Sequence, residues 1–164
     1  MAVEDVLNNY GQRFVSELSD AIKNKQLPRR GGKSYVANAS GNLVKSLNYT
    51  VENGVLTVRA DRYIGALVFG RQPNKNQTPE SLKRWVGWAG STFIKEWADV
   101  KGVKISPYAI AYSIARKGNS LFPQGSDLVS AIVTDDFIND LKSDIFSEIT
   151  DSVFSGFKFL KKAA

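Results

Sequence analysis

The stretch SLNYTVENGVLTVRADRYIGALVFGRQPNKNQTPES, residues 46–81, decides the fold. At its centre Asn53-Gly54 separates two runs of alternating apolar and polar residues, the sequence pattern of a hairpin closed by a two-residue type I′ turn. That turn pairs Glu52 with Val55, Val51 with Leu56 and Tyr49 with Val58. Opposed residues point to one side of a hairpin, so Tyr49, Val51, Leu56 and Val58 share an apolar face and Asn48, Thr50, Thr57 and Arg59 a polar one. After the apolar knot RYIGALVFG comes RQPNKNQTP, which lacks apolar residues and is expected to run over the surface.

Helical patterns flank the hairpin on both sides. Val3, Val6, Leu7, Tyr10, Phe14, Leu18 and Ile22 form a stripe at helical spacing, which predicts a first helix from residue 3 to about 23. The following KNKQLPRRGGKSY is read as a loop, because Pro28 and Gly31-Gly32 interrupt regular structure. Ser40 offers a cap for a short helix through Leu43, Val44 and Leu47. Thr78-Pro79-Glu80 supplies a cap, a proline at the first helical position and an acid in the first turn, starting a helix through Leu82, Trp85, Val86 and Ala89. Two more short helices are expected, STFIKEWADV up to Lys101-Gly102 and one from Ser106-Pro107 to Lys117-Gly118.

From Thr134 to Lys162, Phe137, Leu141, Ile145, Ile149, Val153, Phe157 and Leu160 recur three or four residues apart, predicting one long amphipathic helix. Acids crowd its first half and Lys158, Lys161 and Lys162 its end, the order that the helix dipole favours. Phe146, Phe154 and Phe159 widen the apolar stripe beyond what one buried face needs, so either another part of the fold or another subunit covers them, and they are the residues expected at a subunit interface. The expected fold is therefore α+β: an N-terminal helix, a sheet containing an antiparallel hairpin, several short helices and a long C-terminal helix. A chain of 164 residues with 43% hydrophobic content suits a single domain, residues 1–164.

Two residue types are missing, and this narrows the chemistry. Without cysteine there are no disulfides, thiolate nucleophiles or cysteine metal sites, and without histidine the commonest general base and metal ligand are lost. Gly31-Gly32-Lys33-Ser34 matches only the end of a phosphate-binding loop, since no glycine precedes it at the required spacing. Carboxylate pairs such as Asp135-Asp136, or Asp140 with Asp144, fall where a solvated helix face places them. No catalytic, cofactor-binding or metal-ligating residue is assigned, and no enzymatic activity is expected. The N-terminus lacks the basic and apolar regions of a signal peptide, and no apolar run approaches the roughly 20 residues of a membrane span. The expectation is a soluble protein made in the cytoplasm, with no membrane partner.

The net charge of +6 conceals a segregation. Residues 23–126 hold 17 Lys/Arg against 5 Asp/Glu, whereas residues 127–151 hold 1 against 7. Opposed blocks of this kind suit either nucleic acid or a second copy of the chain, basic part against acidic part. Trp85, Trp88 and Trp97, beside Lys83, Arg84 and Lys95, are read as packing aromatics, with base stacking as the alternative.

Four motifs in order extend the reading: ASGNLVKSLNYTV (39–51), RADRYIGALVFGRQP (59–73), SLKRWVGWAG (81–90) and AIAYSIARKGNSLFP (109–123). Their succession over residues 3–123 resembles the neck and tail-completion proteins of tailed bacteriophages, the head-tail joining group. Members of that group show a comparable helix, a glycine-leucine start before a hairpin, and a conserved segment ahead of a long variable loop. Ile64-Gly65 and Val68-Phe69 stand where the group has an alanine-and-glutamate pattern. The resemblance implies a structural virion protein of the neck or tail region, part of a ring of six or twelve copies at the portal vertex. It implies as partners other copies of the chain, a portal or adaptor protein and a tail protein, together with non-specific contact with packaged DNA. On that reading Arg71, Gln72, Asn74, Lys75 and Asn76 form a docking loop, and Arg29, Arg30 and Lys33 face DNA or the portal. The competing expectation is a sequence-independent nucleic-acid-binding protein that uses the basic segment; a small carboxylate enzyme ranks last.

Overall fold

The computed structural model describes residues 3–28, 34–37, 41–61, 63–71, 73, 78–118 and 125–163, with the side chains of 28, 35 and 155–163 excepted. In chain order the elements are α1 (Val3–Asn24), β1 (Gln26–Pro28), β2 (Ser34–Val36), α2 (Asn42–Ser46), β3 (Asn48–Glu52), β4 (Val55–Arg59), α3 (Tyr63–Phe69), α4 (Pro79–Ser91), α5 (Phe93–Val100), α6 (Pro107–Lys117) and α7 (Asp135–Ala163). The fold is α+β, with a helix at the N-terminus and the long helix at the C-terminus. Contacts divide the chain into two compact units, residues 1–19, 47–59 and 128–164 in one and residues 20–46 and 60–127 in the other.

In the first unit the β3–β4 hairpin has the register expected from its turn, with Tyr49 opposite Val58, Val51 opposite Leu56 and Glu52 opposite Val55. Asn53 and Gly54 take φ of 53° and 75°, the two positive values that a type I′ turn requires. The apolar face of the hairpin rests on α1 at Gly11, where a Cβ would lie 2.5 Å from Tyr49 Cδ2 and 2.7 Å from Leu56 Cδ1. Val6, Tyr10 and Phe137 form the buried cluster between α1 and α7, joined by Phe14, Leu141 and Ile145. Both helices present every fourth residue to this seam, the i, i+4 spacing of a helix face. Tyr10 and Phe137 meet edge to face with centroids 5.3 Å apart. Thr134 Oγ1 accepts the Phe137 amide hydrogen at 3.2 Å and so caps α7.

The second unit is built around α4, α5 and α6, whose buried cluster is Ala89, Ile94 and Ala111, flanked by Trp85, Val86, Phe93, Ile110 and Ile114. Small residues bring the helices close: a Cβ on Gly90 would lie 2.6 Å from Tyr108 Cδ1 and 3.1 Å from its Cα. The cap expected at Thr78 is present, its Oγ1 accepting the Ser81 amide hydrogen at 3.3 Å.

Two features depart from the expectation. The stretch read as a loop after α1 contains the paired strands β1 and β2, with Leu27 opposite Tyr35. The apolar knot after the hairpin is the helix α3, so four helices rather than three lie between β4 and α7. A seven-residue apolar run has no decisive period, and Leu67, fully buried, shows that tertiary packing settles its form. The Val68 carbonyl, left without a helical partner at the end of α3, accepts the Ser126 amide hydrogen at 3.1 Å.

Candidate assembly surfaces

The long helix α7 turns Phe137, Leu141 and Ile145 toward α1. On a helix of 3.6 residues per turn, Ile149 lies about 40° from Ile145 at the edge of that stripe, and Val153 and Phe146 lie further round, at about 80° and 100° and within about 20° of each other. They are exposed, Phe146 by 72%, Ile149 by 49% and Val153 by 51%. Phe154 is also exposed, about 80° round the helix from Phe146. Four large apolar side chains in solvent on one short stretch of helix form a patch of the kind that marks interaction sites. Of the three phenylalanines expected at a subunit interface, Phe146 and Phe154 are thus exposed, and the Phe159 side chain lies outside the described residues.

A second surface lies in the other unit. Trp85 and Trp88, one turn apart on α4, line a groove of about 700 Å³ together with Tyr63, Arg71, Phe93 and Glu96. A shallower hollow of about 350 Å³ continues along α4 past the same two tryptophans to Ser81 and Arg84. Trp88 is held edge to face against Phe93 at 5.4 Å, yet it remains 48% exposed. The Arg71 guanidinium lies 3.8 Å over the Trp85 ring. Half-burial without a carboxylate partner among the described residues leaves that guanidinium poorly solvated, which lowers its pKa from the ordinary arginine value. Burial likewise raises the Tyr63 phenol. In the lining of the groove Asp61 Oδ1 accepts the Tyr63 amide hydrogen at 3.3 Å, and Glu96 Oε1 accepts a hydrogen bond from Asn42 Nδ2. The groove therefore has aromatic walls, one stacked cation and two carboxylates, a set suited to binding an apolar body.

Of the residues expected in a docking loop, Arg71 is the one described, and it is stacked on Trp85 as a wall of this groove. Gln72, Asn74, Lys75 and Asn76 lie outside the described residues, as do Arg29, Arg30 and Lys33. Of the three tryptophans read as packing residues, Trp85 packs against the α4–α6 cluster, Trp88 touches Phe93 but stays exposed and lines the groove, and Trp97 is half-buried. Sequence reasoning missed the groove itself, because its walls come from four helices, α3 to α6, whose meeting no local pattern records.

The two compact units also differ in charge. The unit holding the groove carries 16 Lys/Arg against 6 Asp/Glu, net +10, and the unit holding α7 carries 6 against 10, net −4. Among the described residues no helix is long and apolar enough to cross a membrane. No protein-family model, curated protein or solved structure matches the chain significantly.

Proposed function

We propose that this chain is a structural subunit of a tailed-bacteriophage virion, one of several copies in a ring at the portal vertex that joins head to tail. The observation that carries the assembly part of this reading is the solvent-exposed apolar face of α7, with Phe146 exposed by 72%. An apolar patch of that kind is stable in a soluble protein when another surface covers it. The opposite net charges of the two units support association between copies, since the positive unit of one subunit attracts the negative unit of the next. The placement at the portal vertex is supported by the ordered motifs over residues 39–123, and there the partners are a portal or adaptor protein and a tail protein.

The test is the mass of the purified protein by light scattering, alone and mixed with portal-bearing particles that lack the neck, followed by imaging of the vertex. A ring bound at the portal is the expected result. A protein that neither self-associates nor binds those particles is not a connector.

The net charge of +10 on the second unit favours a second reading, a sequence-independent nucleic-acid-binding protein. That reading requires DNA affinity that falls steeply with salt and a slope that flattens when Arg29, Arg30 and Lys33 become alanine. Absence of DNA binding at low salt excludes it.

A further inference from the structure

We infer that the exposed stripe of α7 in one copy seats in the Trp85–Trp88 groove of a second copy, an inference that rests on the assembly reading above. The two surfaces match in form, length and charge. Phe146, Ile149 and Val153 stand at i, i+3 and i+7, the anchor spacing with which an amphipathic helix enters an apolar groove. The stripe and the wall of α4 from Ser81 to Trp88 each cover seven residue steps, about 10.5 Å at 1.5 Å per residue.

Charge orients the fit. Lys142, exposed and one turn before Phe146, continues the stripe as a cation, and Glu96, one turn of α5 on from Thr92 and Phe93, is a carboxylate in the lining of the groove. Lys142 of one copy therefore meets Glu96 of the next, while Phe146 and Ile149 cover Trp88 and Trp85. Beyond this pair, the negative unit that carries α7 is drawn to the positive unit that carries the groove. Asp61 and Glu96 offset Arg71 and Arg84, so the groove and its continuation hold no excess of positive charge to recruit a phosphate backbone, and an apolar helix face is the better occupant. The stripe and the groove are different surfaces, so the contact is head-to-tail, the type that generates rings or open filaments.

A head-to-tail contact has a distinctive test. Trp88→Ala destroys the groove and leaves the stripe; Phe146→Ser destroys the stripe and leaves the groove. Each variant, its fold checked by circular dichroism, is expected to self-associate about tenfold or more weakly than the native chain, in solution and on portal-bearing particles. Mixed together, the two retain one intact interface between them and form a 1:1 heterodimer that grows no further. Glu96→Lys alone weakens assembly, and Glu96→Lys with Lys142→Glu restores it; both positions are exposed, so this pair leaves the core untouched. Native protein that assembles while all these variants assemble equally well overturns the proposed contact and leaves the ring reading standing. Native protein that assembles neither in solution nor on particles overturns both. Quenching of Trp88 fluorescence by single-stranded oligonucleotide, with none on self-association, assigns the groove to nucleic acid and overturns the contact. Loss of particle attachment in Trp88→Ala but not in Phe146→Ser assigns it to a particle protein and does the same.

Discussion

Tyr10 ties the α1–α7 seam together through both its ring and its hydroxyl. The hydroxyl donates to Asp144 Oδ2 at 2.9 Å, and the ring meets Phe137. Burial first, and then the neighbouring Asp144 carboxylate, push the phenol from 10.0 up to about 12. The sign follows directly: the folded state holds the proton more tightly than the unfolded chain, so this stabilisation is complete below pH 10 and disappears as pH rises toward 12. Tyr10→Phe is expected to cost about 1–2 kcal/mol at neutral pH, from the loss of a hydrogen bond to a carboxylate. Between pH 10 and 12 the native protein should lose of the order of 2 kcal/mol more than the variant, read as converging denaturant midpoints. Parallel midpoints across that range would show that the hydroxyl contributes nothing to the seam.

Elements are positioned as much by what their glycines omit as by their apolar faces. Alanine ordinarily gains about 1 kcal/mol over glycine inside a helix. At Gly11 of α1 the added methyl would collide with Tyr49 and Leu56 of the hairpin, and overpacking of that kind costs about 1–3 kcal/mol. At Gly87 of α4 nothing lies within 4 Å of the methyl. The same substitution should therefore destabilise at 11 and stabilise at 87 by about 0.5–1 kcal/mol, a difference of sign that chemical denaturation measures directly. Destabilisation at both positions would mean that helix propensity is not what limits α4.

At the scale of the whole molecule, charge segregation is the property with the widest consequences. Each copy is +6 overall and repels another at a distance, whereas a +10 unit set against a −4 unit attracts it at contact, and salt screens both effects with a Debye length of about 10 Å at 0.1 M. On the proposed head-to-tail contact, self-association should weaken as salt rises from 0.05 to about 0.5 M, and it should not vanish, because apolar burial is not screened. Sedimentation across that range is the check. Association that grows stronger with salt would place the whole interface on apolar surface and remove charge from its specification.

Much of this protein is legible in its sequence because much of it is decided locally. Asn53-Gly54 has few competing conformations, so it determines the hairpin register without reference to the rest of the chain. Thr78-Pro79 and Ser106-Pro107 start helices for equally local reasons, and the length and dipole order of α7 need no tertiary partner. The excess of aromatics on α7 is legible in the sequence, though not which of them are exposed, because that depends on which face α1 takes. Other features were decided only when distant segments met. The knot around Leu67 becomes α3 because a pocket buries it, and the stretch around Leu27 becomes a strand because Tyr35 lies opposite. Gly11 matters because a hairpin some 40 residues later rests on it, and Arg71 belongs to a groove because Trp85 lies beneath its guanidinium. Turns and caps are energies between near neighbours, and these the sequence by itself determined; burial and stacking are energies between residues far apart in the chain, and only the tertiary structure brought those together.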